Sequence, residues 1–297
     1  MQLRQLEMVR SVVREKSLSG AARELGLSQP AVSMQMKALA EELGVALFEP
    51  DGRGLAPTAA GRVLAGYAER ILRGVADARL AVRTGVPGSA VVRVAASSTP
   101  GVLLPERIAG FQRRRPGAVV RFEVHNSRGV EDRVASGAVD LGVIGGQRRN
   151  ASLRAEHWCD DELAWIVAPG HRLAGRRSVR PEALARETLL VREAGSATRS
   201  TLEAAFLGAN LALPESQVIG DTEAIKNAVM AGLGVACVSP FHVRAELAAG
   251  RLRPVRIRDL PLRRPLSILR RPGSADQAVE RFLDFLRARR PRSSSKA

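Results

Sequence analysis

Leu3, Leu6, Val9 and Val13 recur at spacings of three and four residues, which predicts an amphipathic helix over residues 2 to 15. Ser17 or Ser19 can cap a second helix that turns Ala21, Ala22 and Leu25 inward. Gly26 then supplies the left-handed residue that ends it. Ser28 caps a third helix, with Pro30 in the first turn, where a missing N–H costs no intrahelical bond. Its apolar stripe is Val32, Met36, Leu39 and Leu43. The opposite stripe is Gln29, Ser33 and Lys37, with Pro30 and Met34 beside it. Two helices that meet through small alanines at a tight turn cross steeply, as in a helix-turn-helix.

The segment "ALFEPDGRGLAPTAAGRVL" predicts a short strand, an Asp51-Gly52 turn and a second short strand. This reads as a wing with Arg53 at its tip. Thr58 caps a long helix running to about Val86. Its stripe Leu64, Tyr67, Ile71, Val75, Ala78 and Val82 needs a surface to cover it, and a second copy of the chain is the simplest one.

"VPGS", Val86 to Ser89, is a linker. After it the pattern changes to strand-like runs, "AVVRVAA", "VVRFEV" and "VDLGVIGG", separated by helical stretches near 102–114 and 128–136. It restarts after Cys159 with "ELAWIVA", "TLLVRE", a helix after Thr198, "SQVIG", a helix after Thr222 and "GVACVS". Strands alternating with helices imply a mainly parallel sheet covered on both faces. The repetition implies two lobes.

Composition narrows the function. The chain has 297 residues, 45% hydrophobic and only 3% aromatic, so aliphatic side chains must build the core. No run reaches the roughly 18 to 20 apolar residues that span a bilayer, and the charged, amphipathic N-terminus is unlike a secretory signal. A cytoplasmic protein without membrane partners is expected. Cys159 and Cys237 form no CxxC motif. The net charge of +16 suggests a polyanionic partner, but lysine occurs only at Lys16, Lys37, Lys226 and Lys296. The arginines are spread through the chain, and the terminal "RARRPRSSSKA" has the composition of a solvated, disordered segment.

The position of particular residues says more than the total charge. Base edges in the major groove are read by hydrogen-bonding and methyl-contacting side chains. Ser28, Gln29, Pro30, Ser33 and Met34 suit that task. Lys37 and Arg53, with Arg23 and Arg62, can neutralise phosphates. In the second segment, open α/β sheets bind ligands beyond the carboxyl ends of their strands. Three strand-to-helix junctions fit: "SSTPG" (Ser97–Gly101), "AGSATR" (Ala194–Arg199) and "GDTEAIK" (Gly220–Lys226). Each sets hydroxyls or free N–H groups at a helix start, which favours an anion. Ser97, Ser98 and Thr99 would hold it from one lobe and Ser196 and Thr198 from the other. Thr222 would sit at the rim, with Arg199 or Arg128 adding charge.

Catalytic chemistry finds no support. His125, His157, His171 and His242 lack metal-ligand spacing. No GxSxG elbow occurs, "GLGVAC" is not GxGxxG, and "GVIGGQRR" lacks the Lys-Ser/Thr of a P-loop. Neither catalytic nor metal residues are predicted, and no cofactor is expected beyond a small-molecule effector. Two rival readings are a solute-binding or enzymatic α/β protein with an added helical domain, and a nucleoid-type protein held by arginine–phosphate contacts.

The stretch "SLSGAARELGLSQPAVSMQMKALAEELGVALFEPDGRGLAPTAAG" resembles the winged helix-turn-helix of LysR-type transcriptional regulators. The A-A-x-x-L-x-x-S-Q-P-A-V-S core, the L-G-x-x-L-F element and the T-x-A-G helix start occur in order. Gly20 stands where the family usually has alanine, and Pro50 replaces the basic residue common after L-F-E. "SSTPG", "AGSATR" and "EAIKNAVMAGLG" resemble the branch containing carbon-fixation and sulfur-assimilation regulators. The resemblance implies an α/β protein with an N-terminal all-α winged helix-turn-helix over 1–58 and a linker and dimerisation helix with hinge over 59–88. A two-lobed effector domain like a periplasmic binding protein would occupy 89–297, with lobe I at 89–162 and 268–297 and lobe II at 163–267. The implied partners are operator DNA, the chain itself as a homodimer or homotetramer, an effector, and RNA polymerase. Dimerisation falls to Leu64, Tyr67, Ile71 and Val75.

Overall fold

A computed structural model describes residues 1–52, 54–84, 91–273 and 276–291. Arg53, the Val86–Ser89 linker and residues 292–297 of the basic tail lie outside the described residues. The chain divides near Val91 into two compact units, with Ala135–Val139 grouped with the first.

In the first unit, α1 (Leu3–Glu15) begins one residue later than the periodicity predicts. Gln2 stays extended as its cap, and its N–H donates to Gln5 Oε1 at 2.8 Å. Ser17, rather than Ser19, caps α2 (Leu18–Leu25), accepting from Gly20 N at 2.9 Å. Gly26 ends α2 at φ 66°, and Ser28 caps α3 (Gln29–Leu43) by accepting from Ala31 N at 3.3 Å. Val9, Val12, Ala21, Ala22, Val32 and Leu39 form the shared core. Leu43 does not join it as its spacing suggests. It is the last helical residue before left-handed Gly44, so the stripe leaves the core a turn earlier.

β1 (Phe48–Asp51) and β2 (Gly54–Pro57) pair antiparallel as the wing. Thr58 Oγ1 accepts from Gly61 N at 3.0 Å, opening α4 (Ala59–Thr84). Gly61 is demanded by contact: a Cβ there would lie 1.9 Å from the Leu47 carbonyl oxygen. Leu64 and Ala65 pack onto the core and Ala68 is fully buried. The rest of the predicted stripe divides: Val75 is half-buried and Ala78 exposed, while Tyr67, Ile71 and Val82 remain 55%, 37% and 84% exposed.

The second unit opens with β3 (Val91–Ala96), α5 (Ser98–Arg114), β4 (Val119–Val124), α6 (Ser127–Ser136), β5 (Leu141–Gly145) and β6 (Arg154–Glu162). The chain then crosses to a second sheet through β7 (Ala164–Val167), β8 (Leu189–Val191), α7 (Ala197–Gly208), β9 (Ser216–Val218) and α8 (Thr222–Met230). β10 (Val235–Val238), α9 (Arg244–Ala248) and β11 (Arg253–Val255) follow before the return in β12 (Arg263–Arg270) and α10 (Gln277–Ala288). The sheet orders are β4-β3-β5-β12-β6 and β11-β7-β10-β8-β9.

Three expectations change here. The sheets are mixed rather than mainly parallel: β12 runs antiparallel to both β5 and β6, and β7 runs antiparallel to β10 and β11. Each chain crossing delivers a strand pointing the opposite way from the βαβ units. The return also comes before residue 267, because Arg263–Arg270 pairs with β6 along its whole length. Finally, the basic tail is ordered at its start. Arg287 and Ala288 close α10, and Arg287 Nη2 donates to Glu156 Oε2 at 2.6 Å.

Alternation explains how each sheet is buried twice. In β10, Val235 and Cys237 enter one cluster with Leu202 and Phe206 of α7. Ala236 and Val238 enter another with Ile225 and Val229 of α8. The first sheet packs Val92, Val94 and Ala96 against Phe111 and Phe282, whose rings meet edge-on at 4.9 Å. Among the described residues no helix is long and apolar enough to cross a membrane.

Candidate functional site

The outer face of α3 presents the residue set expected to meet DNA. Gln29, Pro30 and Lys37 are exposed, Met34 is 66% exposed and Ser33 is half-buried. Ser28 spends its oxygen on the helix cap. Lys37 lies 3.9 Å from Glu41, a loose exposed pair that leaves its ammonium available to a phosphate. Arg23 is exposed, and Arg62 Nη1 donates to the Pro57 carbonyl at 2.6 Å, which fixes it beside the wing.

In the second unit, the starts of α5 and α7 meet across a narrow cleft with about 10 Å³ of free space. Its lining includes Ser97, Ser98, Thr99, Ser196 and Thr198, together with Asn126, Ser127, Arg192 and Arg264. The cap residues Ser97 and Ser196 make no side-chain bond to their own helices, so the first amides are not satisfied from that side. Ser97 Oγ instead accepts from Gly145 N at 3.0 Å and ties β3 to β5.

Charge enters from two arginines other than Arg199 and Arg128. Arg199 bonds Glu203 at 2.7 Å, Arg128 is exposed, and neither lines the cleft. Arg192 and Arg264 are both buried in its wall. Arg264 Nε donates to Asp161 Oδ2 at 3.0 Å, Nη1 to Thr198 Oγ1 at 3.0 Å and Nη2 to Thr99 Oγ1 at 2.9 Å. One guanidinium thus touches α5, α7 and the end of β6. Gly145 makes its seat possible, since a Cβ there would stand 3.0 Å from Arg264 Cζ. Asp161 Oδ1 also accepts from Ser239 Oγ at 2.7 Å, so the buried carboxylate is bonded on both oxygens.

Arg192 Nη1 donates to Thr222 Oγ1 at 2.6 Å, and its other nitrogens grip Glu193 at 2.8 and 3.0 Å. Thr222 is therefore not at a rim. It is buried behind the cleft, 2.9 Å from Ser98 Oγ. A signal for both arginines exists in the sequence. Arg192 follows the apolar run of β8 at its carboxyl end, where such sheets bind ligands. Arg264 shares the period-two face of Leu266 and Ile268, both core residues. A wider depression beside the crossings is lined by the exposed Arg256, Arg258 and Arg263, with the carboxylates of Glu162 and Asp259 beside them.

His242 backs two of these residues, with Nε2 at 3.2 Å from Ser98 Oγ and 3.4 Å from Thr99 Oγ1. Burial, then the Arg264 charge, pushes its pKa down to about 4. In the unfolded chain it titrates near 6.5. As pH falls from about 6.5 towards about 4, the unfolded state binds a proton that the folded state refuses, so stability is lost over that window and complete above it. Denaturation midpoints at pH 7 and pH 5 are expected to differ less in His242→Gln than in the unaltered protein. Equal differences would show that His242 is not held neutral by the fold.

A winged helix-turn-helix, a long helix with an uncovered apolar stripe and a two-lobed cleft rich in hydrogen-bond donors define a ligand-responsive DNA-binding regulator. This chain belongs to the LysR family of transcriptional regulators. Residues 3–62 match the family model "Bacterial regulatory helix-turn-helix protein, lysR family", and residues 87–291 match "LysR substrate binding domain". It is 40% identical to the HTH-type transcriptional regulator CbbR of Xanthobacter flavus, over 96% of this chain and 86% of the relative. It is 35% identical to the RuBisCO operon transcriptional regulator of Allochromatium vinosum, over 96% and 95% of the two chains. The regulatory domain of Synechocystis CcmR, solved in complex with 2-PG, superposes with a TM-score of 0.62 at 26% identity. That match covers 67% of this chain and 96% of the domain.

Proposed function

We propose that this chain regulates carbon-fixation genes and that a small oxyanionic metabolite, such as a phosphorylated acid, is its effector. The observation that carries the effector reading is the cleft itself: helix starts from both lobes, Thr99, Thr198 and two buried guanidiniums converge there, and no carboxylate lines it. The 2-PG bound by the CcmR domain supports the same class of ligand. Ser98 and Ser196 join the two threonines as ligand contacts, with Thr222 behind them. A dimer paired along Leu64, Tyr67, Ile71 and Val75 presents two copies of α3 to an inverted repeat in the cytoplasm, and pairs of dimers form the tetramer. Gln29, Pro30, Ser33 and Met34 read base edges, while Lys37 and Arg53 hold backbone.

Thermal unfolding with 2-PG, sugar phosphates, sulfate and uncharged analogues tests the effector reading. A ligand at about 100 times its Kd adds roughly 2.7 kcal/mol, and Thr99→Val and Thr198→Val should each lose the shift while still binding DNA. Stabilisation by uncharged or cationic compounds alone would overturn it. On the DNA side, Gln29→Ala is expected to cost about 1–3 kcal/mol at the operator and little on other sequences. An unchanged specific-to-nonspecific ratio in titrations would remove α3 as the reading helix.

A further inference from the structure

We infer that Arg264 sets the protonation state of the effector: the cleft takes an oxyanion only when the anion carries no proton. The inference rests on the cleft being the effector site and adds a selection rule to it.

A guanidinium has donors and no acceptor, and a hydroxyl has one proton to give. Arg264 donates to Thr99 Oγ1 and Thr198 Oγ1, one on each lobe. Both threonine oxygens are thereby engaged as acceptors, and their single protons are left for a third group, with His242 Nε2, 3.4 Å from Thr99 Oγ1, as the protein's own alternative acceptor for one of them. A fully deprotonated oxygen between the lobes receives both protons. The amides at the starts of α5 and α7 and the guanidinium of Arg192 point the same bias inward, since all of them only donate. A proton on the ligand would meet donors, or would take a threonine's second lone pair and leave that threonine's own proton without an acceptor. In a buried site an unmade bond of this kind is costly.

The charged and titratable groups around these threonines are few and already committed. Asp161 on β6 is bonded by Arg264 and Ser239. Glu193 is held by Arg192. Glu223 pairs with Lys226 at 2.6 Å. His242 faces Ser98 and Thr99 and, with its low pKa, stays neutral across the pH range of the test. None of the carboxylates lines the cleft, so no anionic acceptor there stands ready for a ligand proton.

The test is calorimetric titration of the full-length protein with 2-PG and with inorganic sulfate between pH 5 and pH 7.5. A phosphate monoester gains its second proton near pH 6, whereas sulfate stays unprotonated throughout. The association constant of 2-PG should fall about tenfold per pH unit below that pKa, and that of sulfate should stay level. In Arg264→Gln the threonine oxygens are free to accept, and the 2-PG slope should flatten. Should Asp161, stripped of its partner, prevent that variant from folding, Arg264→Gln with Asp161→Asn carries the same measurement. A level 2-PG profile in the unaltered protein overturns this inference and leaves the effector site standing. So does a sulfate profile as steep as that of 2-PG, because a protein group would then be titrating. A 2-PG slope that survives in the Arg264 variants removes Arg264 as its cause. Absence of heat with both anions at every pH overturns the effector site and the inference together.

Discussion

Ile71→Asp is expected to leave the protein monomeric and to weaken operator binding by about 10²–10⁴-fold, the advantage that joining two reading heads confers. Ile71 lies on α4 one turn beyond Tyr67, and both stay exposed on a helix whose first turns are packed on the core through Leu64, Ala65 and Ala68. An isolated helix of this length would gain nothing from an apolar outer stripe, but two copies laid together remove both stripes from water. An aspartate in that seam is buried without a cationic partner, which disfavours pairing more than the lost isoleucine contacts do. Light scattering and a DNA titration on the same samples check the expectation. A variant that remains dimeric with undiminished affinity would move the seam elsewhere on the chain. A monomeric variant that still binds the operator with full affinity would sever assembly from DNA reading.

Asp161→Ala is expected to destabilise the effector-binding domain by about 3–5 kcal/mol, because it strands the buried Arg264 guanidinium. For a domain of this size that corresponds to a fall in Tm of about 6–20 °C. The arginine is almost wholly buried: it is clamped by Thr99 and Thr198 and pressed against Gly145. Removing both charges, as Asp161→Leu with Arg264→Met, should restore most of the stability. Calorimetric unfolding of the single and double variants distinguishes the cases. If the single variant melts within a degree or two of the unaltered protein, the pair does not hold the lobes, and Arg264 is a ligand contact alone.

Much of the DNA-binding unit was legible in the sequence because its determinants are local. Ser17, Gly26, Ser28, Pro30 and Thr58 act on backbone atoms within a turn of themselves, so their meaning does not depend on distant chain. The start of α8 was legible for the same reason, with Asp221 accepting from Ala224 N at 2.8 Å, whereas α5 begins at Ser98, ahead of the stretch near 102–114, with no side-chain cap. Strand direction was not. β12 carries apolar alternation that suits either orientation, and only its place between β5 and β6 makes it antiparallel.

The sequence by itself therefore determined the helix-turn-helix, the uncovered stripe of α4 and the hydroxyl-bearing helix starts, since periodicity and capping are properties of neighbouring residues. The tertiary structure alone decided which charges reach the cleft. Arg199 and Arg128 stand nearest the helix starts in sequence, yet they remain outside it. Arg264 arrives from the far side of a chain crossing, 66 residues from Thr198 and 165 from Thr99. Whether such an arginine is solvated or buried depends on an acceptor waiting for it. Asp161 is that acceptor, and it lies 103 residues away, brought close only when the strands of the first sheet align.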